Sequence, residues 1–480
     1  ISKAHAEIRN NPLDFSLQLA NLIEDPAFSG ELVGKVNFDH LKDAIPMDSV
    51  EVSGLLDINL GVSGNMSAIE RKEYGMLKTD GILSLSNFIF SGNQLTMPVL
   101  VSSGVIDFAP EKLNLQQLNM KIGQSDMALS GSVSDYYAYF LTGGILTGNV
   151  RLNSGYLNLN ELMQLQKPAP NAATMKSKTP RGTGSEGSEV TPFTVPEKVQ
   201  MTFQTDIKKA LYDKMNITNI SGQIAVNNGR LDLNGLNMNI LDGQLGIAGV
   251  YQNTPDNSPL VNLSLDMTGF DIPTAFQSLK LIRNYVPIAA QSKGKFSTNL
   301  RLNGKLDQNM NLMMGSLNGT GLLNSYGVQI LNSPIFNKIK SVLNEEKLHD
   351  VKIDDFTASF TIENGNLLLK PFKTKIAGQE ATFTGRLNTN NLIDMSIGFI
   401  INRDALSENI QNSLGVLPGQ QNIRAIPVDV AVKGPVSNPD VKIDLSKAKK
   451  TVTQEVRNAS KEEIKKTINK MGEGIKKLFK

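Results

Sequence analysis

Cysteine and tryptophan are missing from this chain of 480 residues, and histidine occurs only at His5, His40 and His349. Without thiols there is no disulfide, no thiolate metal site and no cysteine nucleophile, and scattered histidines do not make a zinc cluster. No metal or other cofactor is therefore expected. No run of 18 or more apolar residues occurs, so no segment is expected to cross a bilayer as a helix. Catalytic signatures are missing too. GELVGKV over 30–36 is one residue short between its glycines for a phosphate loop and has Val36 where Ser or Thr must reach a metal. There is no H-E-x-x-H helix, no G-x-S-x-G elbow and no EF-hand spacing, and the carboxylates stand singly along the chain. No residue is read as catalytic; a hydrolase whose site is assembled from distant residues is kept as an alternative.

Aromatic side chains make up 6% of the chain, which leaves few large groups to fill a thick core. What the chain does have is 40 glycines, many Asn and Ser, and a hydrophobic fraction of 40%. That balance favours β structure with many short turns. Residues 229–251, GRLDLNGLNMNILDGQLGIAGVY, show how it is used. Leu231 and Leu233 alternate with polar residues, the frame slips at Gly235, and Leu236, Met238 and Ile240 take up the alternation again. Leu245 and Ile247 resume it after Asp242 and Gly243. A period of two means a sheet with one apolar and one wet face.

The same pattern recurs without gaps. Leu113, Leu115, Leu118, Met120 and Ile122 align with Leu231, Leu233, Leu236, Met238 and Ile240, and with Leu367, Leu369, Phe372, Thr374 and Ile376. Met127 and Leu129 then match Leu245 and Ile247, and Ala381 and Phe383; each copy closes on a glycine, at Gly131, Gly249 and Gly385. A weaker copy starts with Leu83, Leu85, Phe88 and Phe90. Preceding strands with Ile224 and Val226, and with Phe360 and Ile362, lead into Asn228-Gly229 and Asn364-Gly365. Asn-Gly between apolar runs is a strong hairpin signal, so each unit reads as an antiparallel meander.

Residues 166–198 are rich in Pro, Gly, Ser and charge and lack apolar periodicity, which predicts a disordered linker or long loop. It divides an N-terminal β-rich segment, 1–165, from a second β domain, 199–445. Few helices are expected. One starts at Asp271-Ile272-Pro273 and carries Phe276, Leu279, Ile282 and Val286. Another follows Ser333-Pro334 with Ile335, Ile339, Val342 and Leu343, and a third covers roughly 403–414.

The formal net charge of +2 is unevenly spread: residues 446–480 hold eleven Lys and Arg against four Glu, leaving a net of −5 on the rest. In this tail Ile464, Ile468, Met471, Ile475 and Leu478 recur at helical spacing, flanked by Lys461, Lys465, Lys466, Lys470, Lys476 and Lys477. Such a basic amphipathic helix suits an anionic membrane surface; the other reading is a helix docked on the sheet end. Nucleic acid is not expected as a partner, because no aromatic platform accompanies the lysines.

With these residues in view, the chain resembles the AsmA family, specifically its C-terminal region, which with TamB belongs to the bridge-like lipid transfer proteins of diderm bacterial envelopes. The resemblance lies in the two meanders NNGRLDLNGLNMNILDGQLGIAG and ENGNLLLKPFKTKIAGQEATFTG, in SLNGTG over 316–321 followed by a strand and the Ser333-Pro334 helix, and in GPVSNPDVKIDL over 434–445. It covers about 200–445 best and 30–165 more loosely.

The resemblance implies a mainly β protein whose elongated, curled antiparallel sheet forms an open groove, with a few amphipathic helices. It implies phospholipid carried between inner and outer membranes in support of outer-membrane biogenesis, with an N-terminal inner-membrane anchor and a periplasmic location. Since the chain opens on Ile1, a segment upstream with a signal or anchor is expected. The aligned apolar residues of the three copies would line the groove and touch acyl chains. The alternatives are a scaffold for outer-membrane protein assembly and, structurally, a closed sandwich or barrel in which the same side chains pack on one another.

Overall fold

The computed structural model describes all residues except 1–2, 42–49, 94, 110, 166–192, 344–349, 389–391, 403–424, 436–437, 452, 455–456, 459–460, 463–464, 467–468 and 470–480. The chain is mainly β, with 24 strands and a few short helices among the described residues. It divides into two compact units, residues 1–265 with 303–313 and residues 266–302 with 314–480. The division runs through β15 (Leu260–Asp271) and β16 (Ser292–Lys305).

In the first unit the strands follow one another as an antiparallel ladder. They are β1 (Ala4–Glu7), β2 (Pro12–Ala20), β3 (Ala27–Asn37), β4 (Val50–Asn65), β5 (Lys78–Gly92), β6 (Val99–Phe108), β7 (Lys112–Ile122), β8 (Ser125–Ser134) and β9 (Leu146–Ser154). The ladder continues through β11 (Val199–Tyr212), β12 (Met215–Asn227), β13 (Arg230–Ile240) and β14 (Gly243–Gln252). The join between β9 and β11 is parallel, Val199 pairing Leu146 and Ile207 pairing Ser154, and the short β10 (Leu157–Asn158) extends it.

The two units differ from the division expected at 166–198. The strands on either side of that segment are hydrogen-bonded neighbours in one compact unit, so no boundary between the two units falls there. Parallel strands need a dozen or more residues to return to the same end of the sheet, which a tight hairpin cannot supply.

The second unit carries β17 (Asn318–Leu331), β18 (Asp350–Lys352), β19 (Thr357–Glu363), β20 (Asn366–Ile376), β21 (Gln379–Leu387), β22 (Leu392–Asn402), β23 (Ala425–Pro435) and β24 (Asp440–Asp444). β18 and β19 pair with successive parts of β17, and the others pair in chain order, all antiparallel. The sheet is open. Among the described residues β1 and β24 each have a strand partner on one side only.

The expected Asn-Gly turns are present. Asn228 and Gly229 (φ 50° and 79°) join Asn227 to Arg230, and Asn364 and Gly365 (φ 48° and 78°) join Glu363 to Asn366. Both central residues are left-handed, as the twist of a two-residue hairpin requires.

Helices are short and lie between strands. In the first unit these are α1 (Phe38–Leu41), α2 (Met66–Glu70), α3 (Tyr136–Thr142) and α4 (Leu159–Met163). The helix expected from Asp271 is broken. Asp271 does cap α5 (Ile272–Ser278), its carboxylate accepting from the Thr274 amide at 3.0 Å, but Leu279 is extended (φ −102°, ψ 109°) and α6 (Lys280–Tyr285) starts anew. The helix after Ser333 forms as α7 (Pro334–Leu343). The helix expected over 403–414 lies outside the described residues.

The contiguous buried core belongs to the second unit. Val328, Ile330, Val351, Ile376, Phe399, Val428 and Val430 pack there with Phe336 and Ile339 of α7 and with Ala448 at the start of the C-terminal helix. Val428, Val430, Ile339 and Ile376 are all 0% exposed. The first turn of the basic tail is thus docked on protein, and Lys447 adds an ion pair to Asp429 at 2.8 Å. Among the described residues no helix is long and apolar enough to cross a membrane.

Candidate functional site

The three sequence copies fold as three hairpins of one register. In β7–β8 Leu113 pairs Val133, Leu115 pairs Gly131, Leu118 pairs Leu129 and Met120 pairs Met127. In β13–β14 the pairs are Leu231–Tyr251, Leu233–Gly249, Leu236–Ile247 and Met238–Leu245. In β20–β21 they are Leu367–Leu387, Leu369–Gly385, Phe372–Phe383 and Thr374–Ala381. The frame slip at Gly235 is a β-bulge between Leu233 and Leu236, repeated between Leu115 and Leu118 and between Leu369 and Phe372. A bulge lets the same face stay apolar on both sides of an inserted residue and sharpens the local twist.

The closing glycine has a physical cause. Gly249 has φ 148°, and a Cβ there would lie 2.1 Å from the Asn262 carbonyl oxygen; at Gly131 (φ 146°) the matching distance to the Asn149 oxygen is 2.2 Å. Only a residue without a side chain fits where the neighbouring backbone comes that close.

Cross-strand pairing in the first unit joins its two hairpins into one apolar face. A single row passes from Leu13 through Gly34, Ile58, Leu83, Ile106, Leu115, Gly131, Val150, Phe203, Ile224 and Leu233 to Gly249. It contains no polar side chain, and the parallel β9–β11 join keeps it continuous through Val150 and Phe203. Twelve strands spaced about 4.8 Å apart give a path on the order of 50 Å along the sheet. The row beside it runs through Phe108, Leu113, Val133, Gly148, Met201, Val226 and Leu231 to Tyr251. In a third row Thr205 interrupts the apolar side chains, and its hydroxyl donates to the Gly222 carbonyl at 3.0 Å.

Among the described residues no second layer of protein seals this face. Of the row's members, Ile58, Leu83, Ile106, Leu115, Phe203, Ile224 and Leu233 are only half-buried, while Val150 is buried at 5% exposure. Phe15, Leu17 and Leu19 near the start of the ladder are 40, 38 and 56% exposed. Of the largest side chains buried to below 2% or close to it among the described residues, only Leu77 and Val195 belong to the first unit. Short segments rim the face at the strand ends instead. Phe38 of α1 meets the Phe88 ring edge-on at 5.7 Å, Tyr136 of α3 meets Phe108 at 6.2 Å, and the Tyr251 hydroxyl donates to the Phe193 carbonyl at 2.6 Å. The opposite face is wet and carries pairs such as Arg230–Asp232 and Lys35–Asp57.

The predicted lining residues are therefore not equivalent. Leu113, Leu115, Leu118, Met120, Leu231, Leu233, Met238, Leu245 and Ile247 lie half-buried on the first unit's face, with Ile122, Leu236 and Ile240 buried at 6, 7 and 8% exposure. In the third copy the closed arrangement prevails. Ile376 is fully buried in the second unit's core and Phe383 packs against that core. Leu367, Leu369 and Phe372 stay half-buried, Phe372 stacking between Phe356 and Phe383 at 4.7 and 5.1 Å. The reason is α7, whose Phe336 lies outside the stripe predicted from the sequence and is 2% exposed.

Sequence reasoning missed Ile58, Ile106, Val150 and Phe203 as parts of the site. Their strands alternate in the same way but lie outside the aligned copies, so only strand pairing brings them into the row.

Lys461, Lys465 and Lys466 are helical and exposed, whereas Lys470, Lys476 and Lys477 and the tail's apolar stripe lie outside the described residues.

A cavity of about 300 Å³ opens at the end of the face beside α3, lined by Tyr74, Glu111, Asp135, Tyr136 and Tyr137 among others. Burial pushes the Tyr136 hydroxyl up to about 12, and it donates to the Ala109 carbonyl at 3.3 Å. Among the described residues no group of three or more His, Asp or Glu could hold a metal ion.

Compared with protein-family models, curated proteins and solved structures, the chain matches none.

Proposed function

We propose that the apolar face of the first unit takes up lipid acyl chains and lets them pass from strand to strand, so that the protein carries phospholipid between membranes without a chemical step. The observation that carries this reading is the row from Leu13 to Gly249, apolar across twelve strands and covered by no second layer among the described residues. Each CH2 moved into water costs about 0.8 kcal/mol, so a chain of some sixteen carbons faces about 12 kcal/mol without such a path. A continuous apolar surface removes most of that barrier. Contacts with Leu, Ile and Phe are non-directional, so the face itself discriminates little among acyl chains.

In the setting that the resemblance implies, the donor and acceptor are the inner and outer membranes of a bacterial envelope. The exposed Lys461, Lys465 and Lys466 suit an anionic membrane surface there, each nearby cation adding about 1 kcal/mol. The test is site-specific photo-crosslinking from Leu233 and Phe203 in cells, with native mass spectrometry of the purified chain. Lipid adducts at these two positions and none from a probe at Val430 are expected. Protein adducts with no co-purifying phospholipid would overturn the reading.

A further inference from the structure

We propose that the cavity beside α3 holds the ammonium group of a lipid headgroup, so that amphiphiles on the apolar face are selected at their polar end. This rests on the acyl-chain reading above and adds the chemistry of the headgroup to it. The walls of the cavity include three tyrosine rings and two carboxylates, and no Lys or Arg. The Tyr136 and Tyr137 centroids are 4.4 Å apart, and Tyr74 stacks with Tyr137 at 6.2 Å and 25°. The faces that these rings turn toward each other are taken up by the stacking, and a ring face left free on the cavity side attracts an organic cation.

The carboxylates give the site its sign. Among the described residues Glu111 has no ion-pair or hydrogen-bond partner, and the Asp135 carboxylate accepts only from the Thr147 hydroxyl, at 2.5 Å. An anion in the cavity would meet two like charges with no cation to offset them, whereas an ammonium satisfies both.

The position of the cavity points to a lipid source. Tyr136 stands edge-to-face on Phe108, which pairs with Leu113 on the apolar face, and the Tyr137 and Thr79 hydroxyls are hydrogen-bonded. A headgroup in the cavity thus leaves its tails beside the row of apolar side chains. The same helix exposes Phe140 and Leu141, at 75 and 56%, two side chains suited to the acyl region of a bilayer.

The full chain is loaded from vesicles of equal phosphatidylethanolamine and phosphatidylglycerol, and the retained lipids are read by native mass spectrometry. The wild type should retain phosphatidylethanolamine about fivefold over phosphatidylglycerol, the equivalent of about 1 kcal/mol. Glu111→Gln with Asp135→Asn, and separately Tyr137→Leu, should bring the ratio to about one with total lipid unchanged, while Tyr137→Phe keeps it. Equal retention of both lipids by the wild type would overturn this proposal and leave the acyl-chain reading standing. No retained lipid of either kind would overturn that reading itself. Free phosphoethanolamine bound as tightly as the lipid would overturn the lipid source.

Discussion

Leu236 of β13 stands directly opposite Ile247 of β14, just past the bulge that follows Leu233. The relationship recurs as Leu118 opposite Leu129 and as Phe372 opposite Phe383. In the first two hairpins Leu118, Leu129 and Ile247 are half-buried and Leu236 is 7% exposed, whereas in the third Phe383 packs against a sealed core. One hairpin design thus serves both an open and a closed environment.

That difference is measurable as stability. Ile376→Ala removes a side chain that is 0% exposed inside a contiguous core, and about 4 kcal/mol is expected from the transfer and cavity terms together. Leu115→Ala acts on a half-buried side chain of the uncovered face, and about 1 to 2 kcal/mol is expected. Urea unfolding of the two variants, followed by a probe in each unit, checks the order.

Charge placed on each face should separate them further. Leu233→Asp with Met238→Asp puts carboxylates on half-buried positions where water can reach them, so the circular dichroism spectrum should persist while lipid crosslinking is lost. Leu236 and Ile240 on the same strand are poorer choices, being only 7 and 8% exposed. Val430→Asp should cost more than about 4 kcal/mol and unfold the second unit, because Val430 is 0% exposed.

The repeat glycines should tolerate no side chain. Gly131→Ala would place a Cβ 2.2 Å from the Asn149 oxygen at φ 146°, and a loss of about 2 to 3 kcal/mol is expected, with a similar loss for Gly249→Ala. Gly315→Ala, where a Cβ meets nothing within 4 Å, is the control and should change the melting temperature little.

Alkaline pH should loosen both units. Burial pushes Tyr136 and Tyr285 up to about 12, and the Tyr285 hydroxyl also donates to the Gly365 carbonyl at 2.6 Å. Since the folded state holds these protons more tightly than the unfolded chain, whose tyrosines ionise near 10, the stability they contribute is complete below about pH 10. It is lost as pH rises towards about 12. Absorbance titration at alkaline pH should show these tyrosines ionising late. Tyr136→Phe and Tyr285→Phe should each flatten the fall of melting temperature across that window.

Much of the apolar face is legible from local patterns. The alternation at Leu231, Leu233, Met238 and Ile240 reports a one-sided sheet, the slip at Gly235 reports the bulge, and Asn228-Gly229 reports the turn. These features are visible because each depends on residues within one hairpin. The parallel pairing of Val150 with Phe203 is not visible, since nothing in either strand names its partner. Nor is the break at Leu279, where an apolar stripe at helical spacing continues through an extended residue. The cavity at Tyr74, Glu111 and Asp135 gathers residues from separate connections and has no linear signal at all.

By itself the sequence determined which side chains share a face, where each hairpin turns and where a glycine must stand, because period, turn chemistry and close backbone approach act over a few residues. Only the tertiary structure decided what lies over that face: α7 and Ala448 in the core with Ile376, and no layer of described residues above Leu115 and Leu233. Alternation records that a side chain avoids water, and the identity of its cover depends on segments far away in the chain.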